Sequence, residues 1–347
     1  MVTHTRIPFS DLVFLDDNPR TRTQEGLQQM AADIQADPTF FENRPVLVNL
    51  TDGTHQVYAG DLRTHAAHDV LHWPDTTPGG YAAAQEDDYD PPPEIVTDIV
   101  PGDLFEIGPH RLLCGDSTDS DAVARLMGKK KIELVVTDPP YGVSYVGKTD
   151  DALTIENDSM SETQTFELWR GSISALWPFW KEGAALYATV PAGPFHIGFV
   201  QELKNVDVLR QILVWNKSGM VLGYSDYHYK HEPVLYGWKP GAAHYFTDDR
   251  TQTTVLDVEK PAANREHPTM KPVKLWEIFI KNSSQEKWNV YDPFLGSGTT
   301  MVAAHQLHRR CFGIEIDPKY CQVIIDRMLK LDPALTITRN GKPYTPA

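Results

Sequence analysis

The chain reads as two α/β units: a doubly wound, mostly parallel sheet from about residue 98 onward, and a smaller α/β domain before it. Three observations lead there. Seven apolar runs recur in the second part: HRLLCGD, IELVVTD, AALYATV, QILVWNK, EPVLYGW, WNVYDPF and RCFGIEID. Helical patterns lie between several of them, and apolar strands alternating with helices build parallel sheets covered on both faces. Between the two parts, HWPDTTPGGYAAAQEDDYDPPPEIV is rich in Pro, Gly and acid without periodicity, so residues 72–97 read as a linker.

In chain order, GLQQMAADIQ and RTHAAHDVL of the first domain (1–71) pattern as amphipathic helices. RPVLVNL and THQVYAG pattern as strands joined by the turn TDGT. In the second domain (98–331), SETQTFELWRGSISALW opens with Ser161 and Gln164 in capping-box spacing. Its stripe of Phe166, Trp169 and Ile173 is a packing face. DPKYCQVIIDRMLK starts with Asp317 as N-cap and Pro318 at the first helical position. Residues 332–347 read as a partly disordered tail.

Composition narrows the function classes. Hydrophobic residues make up 41 %, enough for a packed core. The net charge of −15 argues against a protein that coats nucleic acid indiscriminately, while leaving room for one local basic cleft. Cys114, Cys311 and Cys321 are too few and too scattered for a disulfide framework or a zinc site. His228 and His231 in GYSDYHYKHE lack the carboxylate pattern of a metal site, so no metal is expected. No apolar run reaches membrane-spanning length and the start lacks a signal-peptide core, so a cytoplasmic protein that binds no membrane is expected.

Doubly wound sheets bind ligands beyond the carboxyl ends of their strands. Four such ends stand out: CGD, TDPPY, YDPFLGSGTT and GIEID. In the third, Gly296 and Gly298 lead from a strand into a helix, so the backbone can approach a ligand and offer free N–H groups. The third glycine of a dinucleotide fingerprint and the P-loop lysine are both missing. Glu315 then falls near a strand end about twenty residues further on, where an acid accepts from ribose hydroxyls. Together these fit an adenosine-containing cofactor, and both a nicotinamide and a sulfonium cofactor share that ribose. In Asp138-Pro139-Pro140-Tyr141, two prolines fix φ and remove two donors, leaving rigidly aimed carbonyls beside a carboxylate. Acceptors held like this suit an amino group, and Tyr141 offers a flat face for a planar ring.

DPPY with DPFLGSGTT and GIEID resembles the amino-group DNA methyltransferases, with the catalytic element ahead of the Gly loop as in their β subgroup. LLCGDS, WNK, YKHEPVLYGWK and HPTMKPVKLWEIFI agree, so the resemblance covers about 100–330. It implies a seven-stranded Rossmann-like sheet, S-adenosylmethionine as cofactor and double-stranded DNA as substrate, with the base flipped out of the duplex. It also implies roles. Tyr141 stacks on the base, and Asp138 with the Pro139 carbonyl accepts from its amine next to the cofactor. Glu315 binds the cofactor ribose and Asp116 its adenine. Asp292, Phe294, Gly296, Gly298 and Thr299 shape the pocket, which Thr269 and Lys271 close, with Lys271 on the cofactor carboxylate. An Asp at the first position of the tetrapeptide goes with adenine N6 and a Ser with cytosine N4, so adenine leads and cytosine is second. Target recognition is expected within 145–265, from Lys148, Lys204, Arg210, Lys217, Lys230, Lys239, Arg250 and Arg265. The resemblance also allows a homodimer and a companion restriction nuclease. Two other classes compete. A nicotinamide oxidoreductase is opposed by the missing glycine and by DPPY. A DNA-binding partition module with an inactive methylase fold is opposed by intact Asp138, Tyr141 and Glu315.

The first domain, through IPFSDLVFLDDNPRTR and HQVYAGDLRTHAA, resembles the N-terminal domain of ParB-like partition proteins. There a Gly–acid–Arg–Arg stretch grips phosphates; here Gly60, Asp61, Leu62 and Arg63 are followed by Thr64, and one arginine is absent. Leu62 cannot complete a bidentate clamp, so the expectation is a degenerate module that helps place the chain on DNA, or packs without a ligand.

Overall fold

The protein is described from a computed structural model. It describes residues 12–14, 47–51, 54–59, 84, 86–87, 89, 91–92, 94–141, 160–221, 226–249, 251–259 and 271–346. The chain divides into two compact units, one of Met1–Ala83 with Thr247–Thr251 and one of the remainder.

In the smaller unit, β1 (Leu12–Phe14), β2 (Leu47–Thr51) and β3 (Thr54–Ala59) form a sheet in the order β1-β3-β2. β2 and β3 run antiparallel with Thr51 opposite Thr54, the hairpin expected around TDGT. β1 lies parallel to β3. The expected helices at 26–35 and 63–71, and the Gly60–Arg63 stretch, lie outside the described residues.

Among the described residues the larger unit carries eleven strands where seven were expected. All seven apolar runs are strands: β5 (His110–Cys114), β6 (Ile132–Thr137), β7 (Trp180–Thr189), β8 (Leu209–Val221), β9 (Tyr229–Trp238), β11 (Asn289–Asp292) and β12 (Arg310–Glu315). The additional strands are short and lie toward the edges: β4 (Leu104–Ile107), β10 (Val255–Asp257), β13 (Ile337–Arg339) and β14 (Lys342–Pro343). The order is β10-β8-β9-β7-β6-β11-β12-β5-β4-β13-β14. β7, β6, β11, β12 and β5 form a parallel block. Apart from the parallel pair β10·β8, every pairing outside that block is antiparallel. The sheet is therefore mixed rather than mostly parallel.

The tail also departs from expectation. β13 pairs with β4, and Arg339 reaches Asp98 and Asp103, the latter at 2.5 Å. Isolated, the segment has too few apolar residues to order itself. The open edge of β4 supplies unpaired backbone groups, and Asp98 and Asp103 supply the counter-charge.

Helices cover both faces, as a doubly wound sheet requires. One face packs α4 (Val273–Ser283), α5 (Thr299–Gln306) and α6 (Pro318–Leu331) on Leu134, Val136 and Val290. The other packs α1 (Ser120–Met127), α2 (Glu162–Leu176) and α3 (His196–Asn205) on Val135, Ala188 and Tyr291. Alternate residues of β6 thus feed opposite cores, which explains why its sequence is apolar throughout. The capping box of Ser161 with Gln164 and the N-cap Asp317 form as read. Trp169 and Ile173 are buried in the core, and Phe166 packs against it. The three cysteines are buried free thiols. Among the described residues no helix is long and apolar enough to cross a membrane.

The segment read as a linker is held to the larger unit at several points, among them Thr97, whose hydroxyl donates to Gln322 Oε1. Glu86 Oε1 accepts from the backbone N–H of Lys274, in the first turn of α4. Asp87 accepts from Arg327 at 2.5 and 2.6 Å. Arg327 is only 1 % exposed and also donates to the Ser297 carbonyl of the Gly loop. A buried guanidinium needs a counter-charge, which composition could not assign to one acid among many. Asp87→Ala is expected to cost about 3–5 kcal/mol of unfolding free energy by leaving Arg327 uncompensated. Urea denaturation checks it, and a loss under about 1 kcal/mol would show that the pair is solvated.

Candidate active site

The chain order of the parallel block reverses between β6 and β11: from β6 the chain goes on to β7 on one side, from β11 to β12 on the other. Such a switch point leaves a crevice at the carboxyl ends of the strands. Asp138 follows β6 there and Asp292 ends β11. Thr137 joins them, its hydroxyl donating to Asp292 Oδ1 at 2.7 Å.

Asp292 holds the Gly loop. It is 2 % exposed, and it accepts from the Phe294 amide at 3.0 Å and the Thr300 hydroxyl at 2.5 Å. Trp276 donates its indole N–H to the same hydroxyl. Burial pushes the Asp292 carboxyl up to about 6, against the opposing pull of its hydrogen bonds from Thr300, Thr137 and Phe294. Its bonds run to protein groups, so it shapes the pocket from behind. Gly296 and Gly298 both have positive φ, 54° and 90°. A Cβ on Gly298 would lie 3.1 Å from Ile324, so that glycine lets α5 approach α6 closely. A Cβ on Gly296 would meet nothing within 4 Å: the loop borders open space there.

Glu315 adjoins the same loop. One carboxylate oxygen accepts from Gly296 N at 2.7 Å and the other from Asp317 N at 2.9 Å. The side chain is 8 % exposed, and burial pushes its carboxyl up to about 7 despite those two bonds. Asp317 itself caps α6 through Lys319 N, as read. Asp116 is exposed at the end of β5 and accepts from both Thr118 N and its hydroxyl at 2.8 Å. Phe294 is partly buried against the core, and Thr299 lies 3.3 Å from Arg327 Nη1. Thr269 lies outside the described residues.

The second centre is built on Asp138. Its Oδ1 accepts from the Tyr141 hydroxyl at 2.7 Å and the Thr189 hydroxyl at 2.5 Å. Its Oδ2 accepts from Lys271 Nζ at 2.7 Å. Lys271 stands 5.3 Å over the Tyr141 ring and 3.4 Å from Glu232 Oε2. Glu232 Oε1 is bonded by Lys217. Two acids and two lysines thus balance inside a crevice where each lysine is at most 13 % exposed. Burial opposes the Lys271 charge, but Asp138 and Glu232 outweigh it and hold the ammonium above the ordinary lysine range. Burial and the Asp138 charge push the Tyr141 phenol well up, so it stays a donor.

The sequence placed Lys271 on the cofactor carboxylate; its partners here are Asp138 and Glu232. Arg210 bonds Asp207, Lys217 bonds Glu232, and Lys239 bonds the carbonyls of Trp177 and Trp180. Among the residues expected to contact DNA, Lys204 and Lys230 are exposed, whereas Lys148, Arg250 and Arg265 lie outside the described residues.

A family model of DNA methylases, N6_N4_Mtase, matches residues 132–326, more than half the chain. The chain belongs to the N6/N4 DNA methylase family. Among curated relatives, the type II methyltransferase M2.DpnII of Streptococcus pneumoniae is 28 % identical over 229 residues, 58 % of this chain and 84 % of that protein. The type II methyltransferase M.HpaI of Haemophilus parainfluenzae is 26 % identical over 250 residues, 63 % and 74 % of the two chains. Among solved structures, the M1.HpyAVI–SAM complex aligns with a TM-score of 0.48 at 20 % identity, covering 62 % of this chain and 98 % of that one.

The methylase uses S-adenosylmethionine and acts on DNA. Its residues fit that cofactor. Open space lies beside the Gly296 α-carbon, and the Glu315 carboxylate adjoins it at a strand end, where ribose hydroxyls can be received. Sequence reasoning missed Thr189 and Glu232 as parts of the site and read Lys217 as a DNA contact; here Lys217 bonds Glu232. The YKHE segment held Glu232, but only the pairing of β8 with β9, opposing Trp215 to Glu232, brings it beside Lys217. Thr189 carries no local motif. It reaches Asp138 because β6 and β7 are parallel with Thr137 opposite Ala188.

Proposed function

We propose that this methylase transfers a methyl group to N6 of an adenine flipped out of the duplex. The observation that carries this reading is Asp138, a carboxylate at the topological switch point, beside Tyr141 and two prolines. A base amine presents two N–H donors. Asp138 and the Pro139 carbonyl accept them, drawing the nitrogen lone pair out of the ring and supporting the charge that develops on nitrogen. Pro140 keeps the turn rigid, and Tyr141 stacks on the base. When bound, S-adenosylmethionine supplies an electrophilic methyl group on a sulfonium. Asp116, Phe294, Gly296, Gly298, Thr299 and Glu315 hold it, and Asp292 supports their loop from behind. Positioning by these residues accounts for much of the rate.

Adenine is favoured over cytosine because Asp, not Ser, opens the tetrapeptide. The target strand is read within 145–265, where Tyr227, just ahead of β9, is 89 % exposed and Tyr229, at the start of β9, is 39 % exposed. Exposed Lys204 and Lys230 meet phosphates, giving salt-sensitive binding. The N-terminal unit, through its ParB-like sequence, helps place the enzyme on DNA. The type II relatives suggest a restriction–modification setting with a cognate nuclease.

The test is nucleoside mass spectrometry of unmethylated DNA incubated with the protein and S-adenosylmethionine. N6-methyladenine supports the reading. N4-methylcytosine overturns the base assignment and keeps the chemistry. No modified base, with cofactor binding demonstrated, overturns DNA methylation as the activity.

A further inference from the structure

Both oxygens of Asp138 are already engaged. Oδ1 takes the hydroxyls of Tyr141 and Thr189, and Oδ2 takes the Lys271 ammonium. With the ammonium on it, Oδ2 keeps only one acceptor position, and the Lys271 charge opposes the positive charge that develops on the base amine. Lys271 cannot simply leave for water, because it is 11 % exposed and a buried ammonium without a partner is costly. The crevice holds a second seat. Glu232 Oε2 is buried and lies 3.4 Å from the same Nζ, farther than the 2.7 Å to Asp138 Oδ2. Its other oxygen is held by Lys217, so the carboxylate is fixed in place to receive. The backbone of Lys271 is anchored just ahead of α4, while its four-carbon side chain lets the ammonium move.

We propose that Lys271 is a displaceable counter-ion: it occupies Asp138 in the free enzyme and passes to Glu232 when the target amine arrives. Glu232 and Lys217 are positioning residues that act through Lys271. The exchange keeps two acids and two lysines paired throughout, so opening Asp138 creates no unpaired buried charge. It also favours a donor amine over any ligand that could not replace the ammonium at Oδ2. The inference rests on the reading of Asp138 as acceptor of the base amine.

The test compares wild type, E232Q, K271M and the double variant E232Q/K271M, using tritiated methyl transfer to unmethylated genomic DNA and S-adenosylmethionine affinity by calorimetry. E232Q removes the second seat and keeps Lys271 on Asp138. Its kcat is expected to fall roughly 10- to 100-fold, the scale of one charged hydrogen bond, with cofactor affinity within about twofold. The double variant is expected to be faster than E232Q, because no ammonium then competes for Asp138. A purely structural role predicts the reverse: the second substitution adds to the first loss. That sign decides the matter even if E232Q lowers the melting temperature. Wild-type rates in E232Q, or a double variant no faster than E232Q, overturn the proposal and leave the methylase reading intact. A wild type that transfers no methyl group overturns the reading on which the proposal rests.

Discussion

Asp138→Ala is expected to lower methyl transfer by roughly 10²–10³-fold, the scale of losing one preorganised electrostatic contact to developing charge. Cofactor affinity should stay within about threefold, because the Glu315 side of the pocket has its own hydrogen bonds to Gly296 and Asp317. The substitution removes the acceptor for the base amine and releases Tyr141, Thr189 and Lys271 at once. Asp138→Asn separates these effects. It keeps the shape and one oxygen, loses the charge facing Lys271, and should fall nearly as far if charge is what matters. Single-turnover rates of both variants on DNA, beside calorimetric S-adenosylmethionine binding, provide the check. A variant at position 138 with unchanged single-turnover rate would remove Asp138 from the chemistry.

Glu315→Gln is expected to weaken S-adenosylmethionine binding by roughly 10- to 100-fold, the worth of a hydrogen bond to a charged acceptor. It should also flatten the pH dependence of binding. Burial holds the folded-state pKa of Glu315 up at about 7, above the ordinary glutamate value of 4.5. Between those values the native chain keeps a proton that the unfolded chain has lost. This group therefore lowers stability progressively as pH rises from about 4.5 to about 7, and adds no further slope above that. Asp292, raised to about 6, acts in the same direction over a lower window. Ribose hydroxyls donate to the carboxylate, so binding favours the ionised form. Wild-type affinity should rise with pH up to about 7, by at most about tenfold per unit, and level off above. Calorimetry from pH 5.5 to 8.5 tests both parts. A flat wild-type profile, or a glutamine variant with wild-type affinity, would take Glu315 out of the ribose contact.

Much of the fold was legible because its signals are local. Seven strands of the larger unit announced themselves as apolar runs, and in the central ones, such as β6 and β11, burial on both faces tolerates little else. The helix starts at Ser161 and Asp317 were legible because a cap is chemistry between residues two or three apart. The additional strands were not. β4, β10, β13 and β14 are short, and β13 joins the sheet through β4, more than two hundred residues away in sequence. No local pattern encodes an open edge elsewhere in the chain.

By itself the sequence determined the alternation of strand and helix, the Gly loop with its acid at the next strand end, and the rigid turn of Asp138, Pro139, Pro140 and Tyr141. Each is a property of neighbouring residues: backbone freedom, missing donors, capping, hydrophobic period. Only the tertiary structure decided what surrounds Asp138. Thr189, Glu232, Lys217 and Lys271 come from three other strands and the approach to a helix, and a buried charge takes whichever counter-charge the sheet register brings within reach. The same physics ties Asp87 to Arg327. Charges choose partners by distance and burial, and both are fixed only when the strands have paired.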